Sequence, residues 1–455
     1  MKPSSYNYMT TLSDGTTLFF NFYTLALIAL NASESEPAQS LLSNPSQRLK
    51  KKKDLELKRL FSDKGFLIDK RVDELDLLRT SHFTSRIQQG HLSLTIAPTL
   101  QCNFSCSYCY QGKNLERMNP QVEEKITPFI RNLLKKKGAL SVAWYGGEPL
   151  LCLDTIERLS KEFINLCREA EAEYSASIIT NAYLLERETA EQLLSWNVTN
   201  AQITLDGPPE VHDSRRPLRG GGKTFHKILA NIRSAPADMR ISLRMNVDER
   251  NKEHILELLD ILAKEGLQNK VSFYLGQTYP YTDVCRDVSS WCLSDESFSL
   301  LGLQTALELV PRGFSPMGIP TSKNYSCMAD KENAVVITPS GGLVKCWNEI
   351  IKPGAEVGHL LQPASTATEQ NIARWRRRDP FELECTKCQL LPICMGGCPY
   401  LYARLGKLDC HPWKHHLKES VCLYYYIQKR KQELEMVQEF RELVDYVKEN
   451  AQNED

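Results

Sequence analysis

The chain has 455 residues, 42% hydrophobic and 25% charged, a composition usual for globular proteins. Its 56 basic residues equal its 56 acidic ones, so nothing in the charge balance recruits nucleic acid or an anionic membrane. The apolar run 18–30 is too short to span a bilayer and carries Asn21 and Thr24, and the first residues do not read as a secretory signal, so a cytoplasmic protein is expected.

Residues 1–88 read as a small module of their own. Alternation from Tyr6 with a turn at Asp14-Gly15 predicts a hairpin. LALIALN, 25–31, reads as a short apolar helix, and the Ser/Pro/Asn-rich stretch 32–47 as a loop. A helix pattern over 48–60 opens with the basic run Arg48-Leu49-Lys50-Lys51-Lys52-Lys53, a solvated face or a contact for an acidic peptide. GFLID, 65–69, resembles a wing strand.

From 89 to 315 the pattern is strand, helix, strand. Strands are expected at 92–97, 140–145, 175–180, 201–205, 241–247 and 271–275, with helices such as 153–170 and 253–264 between them. Six strands with crossovers predict an α/β fold with a parallel, barrel-like sheet, whose chemistry sits on loops at the strands' C-terminal ends. Residues 316–430 lose this rhythm and are cysteine-rich, and a charged amphipathic helix is expected to end the chain over 431–455.

The fifteen cysteines are mostly clustered in two regions, which in a reducing compartment points to metal rather than disulfides. After the first expected strand, CNFSCSYCYQ offers Cys102, Cys106 and Cys109 with no fourth ligand nearby. Zinc on these three alone would be a catalytic site needing a polarised water. A four-iron cube explains the gap better, because three thiolates leave one iron open to bind something else.

This C-x3-C-x2-C loop, with Tyr108 before its third cysteine, resembles that of the radical S-adenosylmethionine enzymes. The resemblance implies a [4Fe–4S] cluster whose open iron chelates the methionine end of the cofactor. Electron transfer then releases a 5'-deoxyadenosyl radical. Further segments match the family in order. WYGGEPL supplies Gly146, Gly147 and Glu148 for the methionine ammonium. IITNA supplies Thr180 and Asn181 near the ribose. ITLDGPPEVHDSRRP supplies Asp206, and LRMNVD supplies Arg244 for the cofactor carboxylate, to which a guanidinium fork is suited.

The later cysteines resemble a SPASM domain at seven positions, from Cys327 through Gly341 and Cys346 to C-x2-C-x5-C-x3-C and Cys422. The resemblance implies two auxiliary [4Fe–4S] clusters, three in all. One would be held by Cys385, Cys388, Cys394 and Cys422, the other by Cys327, Cys346 and Cys398. In sulfatase-maturing relatives the latter has a fourth cysteine, where this chain has Thr321. That leaves an open iron or a ligand from elsewhere such as Cys410, which is also the one catalytic candidate among the remaining thiols. Zinc ribbons also use C-x2-C pairs, but they leave the first loop unexplained.

The resemblance implies a maturase of ribosomally made peptides, with residues 1–88 as a winged-helix-like module that grips a precursor's leader by strand addition. The bond installed would be a thioether or a carbon–carbon crosslink, with flavodoxin or ferredoxin as electron donor. The alternatives are oxidation of Cys or Ser to formylglycine, or epimerisation. The formylglycine group places an aspartate after the second auxiliary cysteine, where this chain has Trp347.

Overall fold

The structure, a computed structural model, describes residues 1–430 apart from 89 and 316, so the helix expected over 431–455 lies outside the described residues. Strand β1 (Lys2–Pro3) is followed by the expected hairpin, β2 (Asn7–Thr11) and β3 (Thr17–Asn21). Its turn has Gly15 at φ +83° and Asp14 accepting from the Thr16 amide. The helix expected over 25–31 is instead a third antiparallel strand, β4 (Leu27–Leu30). Leu25 adopts a left-handed φ of +59° and its amide returns to the Asn21 carbonyl, so the chain reverses before an apolar helix can form.

The loop expected over 32–47 is largely helix α1 (Ala32–Ser43). Asn31 caps it by accepting from the Glu34 amide, while Ser35, Ala38 and Leu41 bury one face at three-residue spacing. The serine and proline content masks that spacing. Helix α2 (Lys52–Asp63) begins near the end of the basic run, and β5 (Leu67–Ile68) pairs with β1 before α3 (Glu74–Ile87). Tyr6, Phe20 and Phe22 share an apolar cluster with Trp413, Val421 and Tyr425, which seats this N-terminal region on the C-terminal one.

The central sheet contains β6 (His91–Thr99), β7 (Ala139–Gly146), β8 (Glu173–Thr180), β9 (Val198–Thr204), β10 (Arg240–Val247) and β11 (Val271–Gln277). All six are parallel and neighbour one another in chain order, as the sequence predicts for a partial (β/α)6 barrel. Successive strand residues face opposite sides. Leu140, Val142 and Trp144, like Ile241, Leu243 and Met245, are buried in the core with the crossover helices. The alternate residues Tyr145, Gln202, Thr204, Arg244 and Asn246 line a cavity on the other side. A polar inner face costs folding energy unless something fills it, which marks this side as the working one.

The barrel is left open because β6 pairs on its other edge with β12 (Ala334–Ile337), not with β11. Strand β12 is parallel to β6, Ala334 opposite Ser93 and Ile337 opposite Ile96. Two short antiparallel strands, β13 (Gly342–Val344) and β14 (Gly358–His359), extend the sheet to nine strands among the described residues. Gly341 makes the β12–β13 turn at φ +94°. The cysteine-rich region therefore continues the barrel's own sheet, which its sequence does not suggest. No helix among the described residues is long and apolar enough to cross a membrane.

Candidate active site

The loop that follows β6 carries Cys102, Cys106 and Cys109. Burial pushes the Cys102 thiol up to about 12 and the Cys106 thiol up to about 11, with Arg216 the main counterweight at Cys106. Thiols held this way are protonated until a cation replaces the proton. Asn181 reaches the loop with its amide, 3.8 Å from Cys102 Sγ and 2.7 Å from Asn103 Oδ1.

Gly146 and Gly147 act on the same loop. A Cβ on Gly146 would overlap the Thr99 carbonyl, and one on Gly147 would overlap the Gln101 carbonyl. The close approach lets the Gly147 amide donate to Thr99 O at 3.0 Å and the Glu148 amide to Gln101 O at 2.8 Å. These glycines thus press against the chain leading into Cys102. Glu148 is fully buried, and burial raises its carboxyl above the usual range. It accepts from the Leu150 amide (3.0 Å), the Thr180 hydroxyl (2.7 Å) and the Asn181 amide (2.8 Å).

Asp206 is bonded to Tyr108, a residue of the cavity wall. Its carboxylate accepts from the Tyr108 hydroxyl at 2.5 Å and the Asn246 amide at 3.0 Å, and is itself wholly buried. Arg216 and the Asn246 side chain donate to the same Tyr108 oxygen at 2.5 and 3.0 Å. Arg215 closes the network with a two-pronged contact to buried Asp248, 3.0 and 2.8 Å, and its guanidinium lies 5.2 Å from the Tyr108 ring. Arg215, Arg216 and Asn246 lie inside the sequence motifs without standing out in them; their flanking carboxylates are the signal for them.

Arg244 lines the cavity, and its Nε donates to Asn246 Oδ1 at 2.7 Å. Gly276 on the adjacent strand makes room for it, since a Cβ there would lie 2.6 Å from Arg244 Cζ. The cavity holds about 330 Å³. The barrel contributes Tyr108, Arg244 and Asn246 to its lining, and the cysteine-rich region contributes Cys327, Cys346 and Cys398. Burial raises each of these three thiols, and each of the others' charges acts on Cys346. Tyr145 links the two regions, since Cys109 and Cys346 both act on its hydroxyl and Trp347 lies 5.5 Å away. Tyr110, Tyr279, Tyr281 and Tyr400 complete an aromatic lining that no sequence motif announces.

Thr321 lines a different cavity, between the helices Asp295–Leu309 and Leu417–Arg430, so it is not placed to complete the three-thiol set. A separate hollow of about 250 Å³ is lined by Cys385, Cys388, Cys394 and Cys410. Cys422, expected with the first three, does not line this hollow; it is 3% exposed in the helix Leu417–Arg430, in an apolar cluster against which Cys385 and Cys388 pack. Among the described residues no three His, Cys, Asp or Glu side chains converge tightly enough for a single metal ion. Four zinc-bound thiolates would approach within about 4 Å of one another, given Zn–S bonds of about 2.3 Å. The cysteines instead stand around hollows, an arrangement that fits a multi-iron cluster.

The chain matches the family model described as Radical SAM superfamily over residues 96–262. It is 30% identical over 342 residues to a cysteine-type anaerobic sulfatase-maturating enzyme of Clostridium perfringens (strain 13 / Type A), covering 68% of this chain and 88% of that one. An uncharacterized protein of Archaeoglobus fulgidus is 29% identical over 335 residues, 69% of this chain and 76% of the relative. The solved structure of native anSMEcpe with bound AdoMet and Cp18Cys peptide superposes with a TM-score of 0.57 at 18% identity, over 74% of this chain and 99% of that one. This last likeness bears on the fold.

Proposed function

The chain belongs to the radical S-adenosylmethionine superfamily, and from that premise we propose that it matures a ribosomally made precursor peptide by installing a thioether or carbon–carbon crosslink. When bound, a [4Fe–4S] cluster and S-adenosylmethionine supply an electron and a 5'-deoxyadenosyl radical able to take hydrogen from an unactivated carbon. Cys102, Cys106 and Cys109 would hold that cluster, and Asn181 braces their loop. Glu148 would accept from the cofactor's ammonium and Arg244 would pair with its carboxylate. Asp206 and Arg216 fix Tyr108, so the cavity wall does not reorganise as substrate arrives. The aromatic lining keeps water out.

The observation that carries the reading is the shared cavity, about 330 Å³ lined both by Arg244 and Asn246 and by Cys327, Cys346 and Cys398. Three thiolates on a second cluster leave a position that suits a substrate's soft sulfur. The target residue would then sit between hydrogen abstraction and a sulfur anchor. A third cluster in the Cys385 region, and flavodoxin or ferredoxin as donor, complete the electron supply.

Strands β2–β4 present two sheet edges, and a leader peptide adding to one of them supports the recognition role of residues 1–88. Formylglycine formation is a second reading, favoured by the sulfatase-maturating relative. Against it, the residue after Cys346 is Trp347, which offers no carboxylate to act as base.

The test is anaerobic reconstitution followed by counting iron and measuring 5'-deoxyadenosine after reduction. About twelve irons per chain with cofactor cleavage are expected, three cubes' worth. A Cys102/Cys106/Cys109→Ala variant should lose about a third of the iron and all cleavage. Cleavage that survives in that variant would sink the reading.

A further inference from the structure

We propose that Cys410, not Cys422, is the fourth thiolate of the cluster held by Cys385, Cys388 and Cys394. The inference rests on the reading that this region holds iron and sulfide. Spacing alone leaves two cysteines after Cys398, at 410 and 422, and only the fold discriminates them.

Cys410 lies on the wall of the 250 Å³ hollow together with the other three thiols. The short helix Leu391–Cys394 ends at Met395 with a left-handed φ of +51°, and Gly396 and Gly397 follow at +78° and +72°. This run of positive φ turns the chain sharply, leaving Cys394 facing the hollow. Gly397 also lets the segment before Cys410 close over the site, because a Cβ there would overlap the Asp409 carbonyl. Lys414 donates to Cys410 Sγ at 3.3 Å.

Cys422 has a different environment. Its cluster is made of the apolar side chains that seat the N-terminal sheet, Phe20, Trp413 and Tyr425 among them, and Cys385 and Cys388 pack against the edge of that cluster. It does not line the hollow around which the other thiols stand, and the helix Leu417–Arg430 carries it in that cluster. A thiol in this setting serves as a small hydrophobe.

The experiment uses the full chain, reconstituted anaerobically, as wild type, Cys410→Ala and Cys422→Ala. Iron and acid-labile sulfide are counted and the reduced proteins are examined by electron paramagnetic resonance. Cys410→Ala should lose about four of roughly twelve irons, with one cluster signal removed or altered. Cys422→Ala should keep all of them. Full iron in Cys410→Ala, or loss of a cluster in Cys422→Ala instead, overturns the assignment. If Cys410→Ala does not fold, iodoacetamide treatment of the native wild-type protein decides. Cys410 is half-buried, so it should resist alkylation while iron is bound and react once a chelator has removed the iron. Alkylation of Cys410 in the iron-replete protein overturns the proposal. Zinc in place of iron would sink the cluster reading, while the same variants would still identify the fourth thiolate.

Discussion

A methyl group on Gly276 tests the role of Arg244 without touching the arginine. The Cβ of Gly276→Ala would lie 2.6 Å from Arg244 Cζ and closer still to Nε, well inside van der Waals contact. The obstructed group is the far end of a flexible side chain, so the guanidinium moves and the backbone does not. In moving it gives up the 2.7 Å bond to Asn246 Oδ1 that aims it into the cavity. A hydrogen bond to a charged group contributes about 1.5–3 kcal/mol, so affinity for S-adenosylmethionine should fall roughly tenfold to hundredfold. Turnover at saturating cofactor should change little, and Tm should stay within a few degrees. The assay is direct binding of the cofactor and the dependence of its cleavage rate on cofactor concentration, beside a thermal melt. Unchanged affinity would refute Arg244 as the carboxylate partner, and a large loss of Tm would refute the premise that the arginine yields. Gly147→Ala is the contrasting control. Its Cβ would lie 2.5 Å from the Leu100 carbonyl oxygen and overlap that of Gln101, both backbone, so the cysteine loop must shift and iron should be lost.

Two further predictions concern stability. Arg378, 1% exposed at its side chain, donates to Asp330 at 2.7 Å and to Gly397 O at 3.0 Å, tying the chain beside Cys327 to the chain beside Cys398. Arg378→Met leaves the Asp330 carboxylate buried without its ion-pair partner, a loss of about 3–5 kcal/mol that should lower Tm by roughly 3–5 °C in a chain of this length; an unchanged Tm would contradict it. The second concerns acid. Burial lowers the imidazoles of His212 and His82, with Arg216 and Arg215 adding to the effect at His212 and Arg86 and Arg378 at His82. Both are neutral when folded, whereas the unfolded chain takes up protons below about pH 6.5. Stability should therefore be intact above that pH and fall as pH drops toward the lowered folded values, by up to about 1.4 kcal/mol per pH unit for each histidine. A melting series over mildly acidic to neutral buffers checks this, and His212→Gln should flatten the decline.

The parts of the fold that can be read from the sequence are those with a strong period. The six strands β6–β11 carry alternating apolar residues, such as Ile241, Leu243 and Met245, and each lies within a few residues of expectation. The shorter elements differ where a local device overrides composition. Leu25 in the left-handed region turns an expected helix into β4, and the Asn31 cap makes a helix of a polar stretch. Strand β12 escapes notice because AVVI is only four residues long, and its partner β6 lies some 240 positions earlier in the chain. In the site, the spacing of Cys102, Cys106 and Cys109 carries the argument, since one loop must bring them together. The fourth thiolate near Cys385 is beyond reach of spacing, because two cysteines at plausible distances differ only in what packs around them.

The pairing of β12 with β6 has a mechanistic consequence. A radical centre and an auxiliary sulfur site are useful to one substrate only if their separation is reproducible, because a misplacement of about 1 Å can cost a hundredfold in rate. Had the cysteine-rich region docked through side chains alone, that separation would depend on an interface free to shift. Here β6 leads into the loop of Cys102, and β12–β13 lead from Cys327 to Cys346, all on one hydrogen-bonded ladder. Tyr145, from the neighbouring strand β7, stands between Cys109 and Cys346. Its ring neighbour Trp347, tilted against it and 37% exposed, is the less confined of the two. The two thiol sets are thus fixed by backbone, while the wall between them consists of side chains, one of them near solvent.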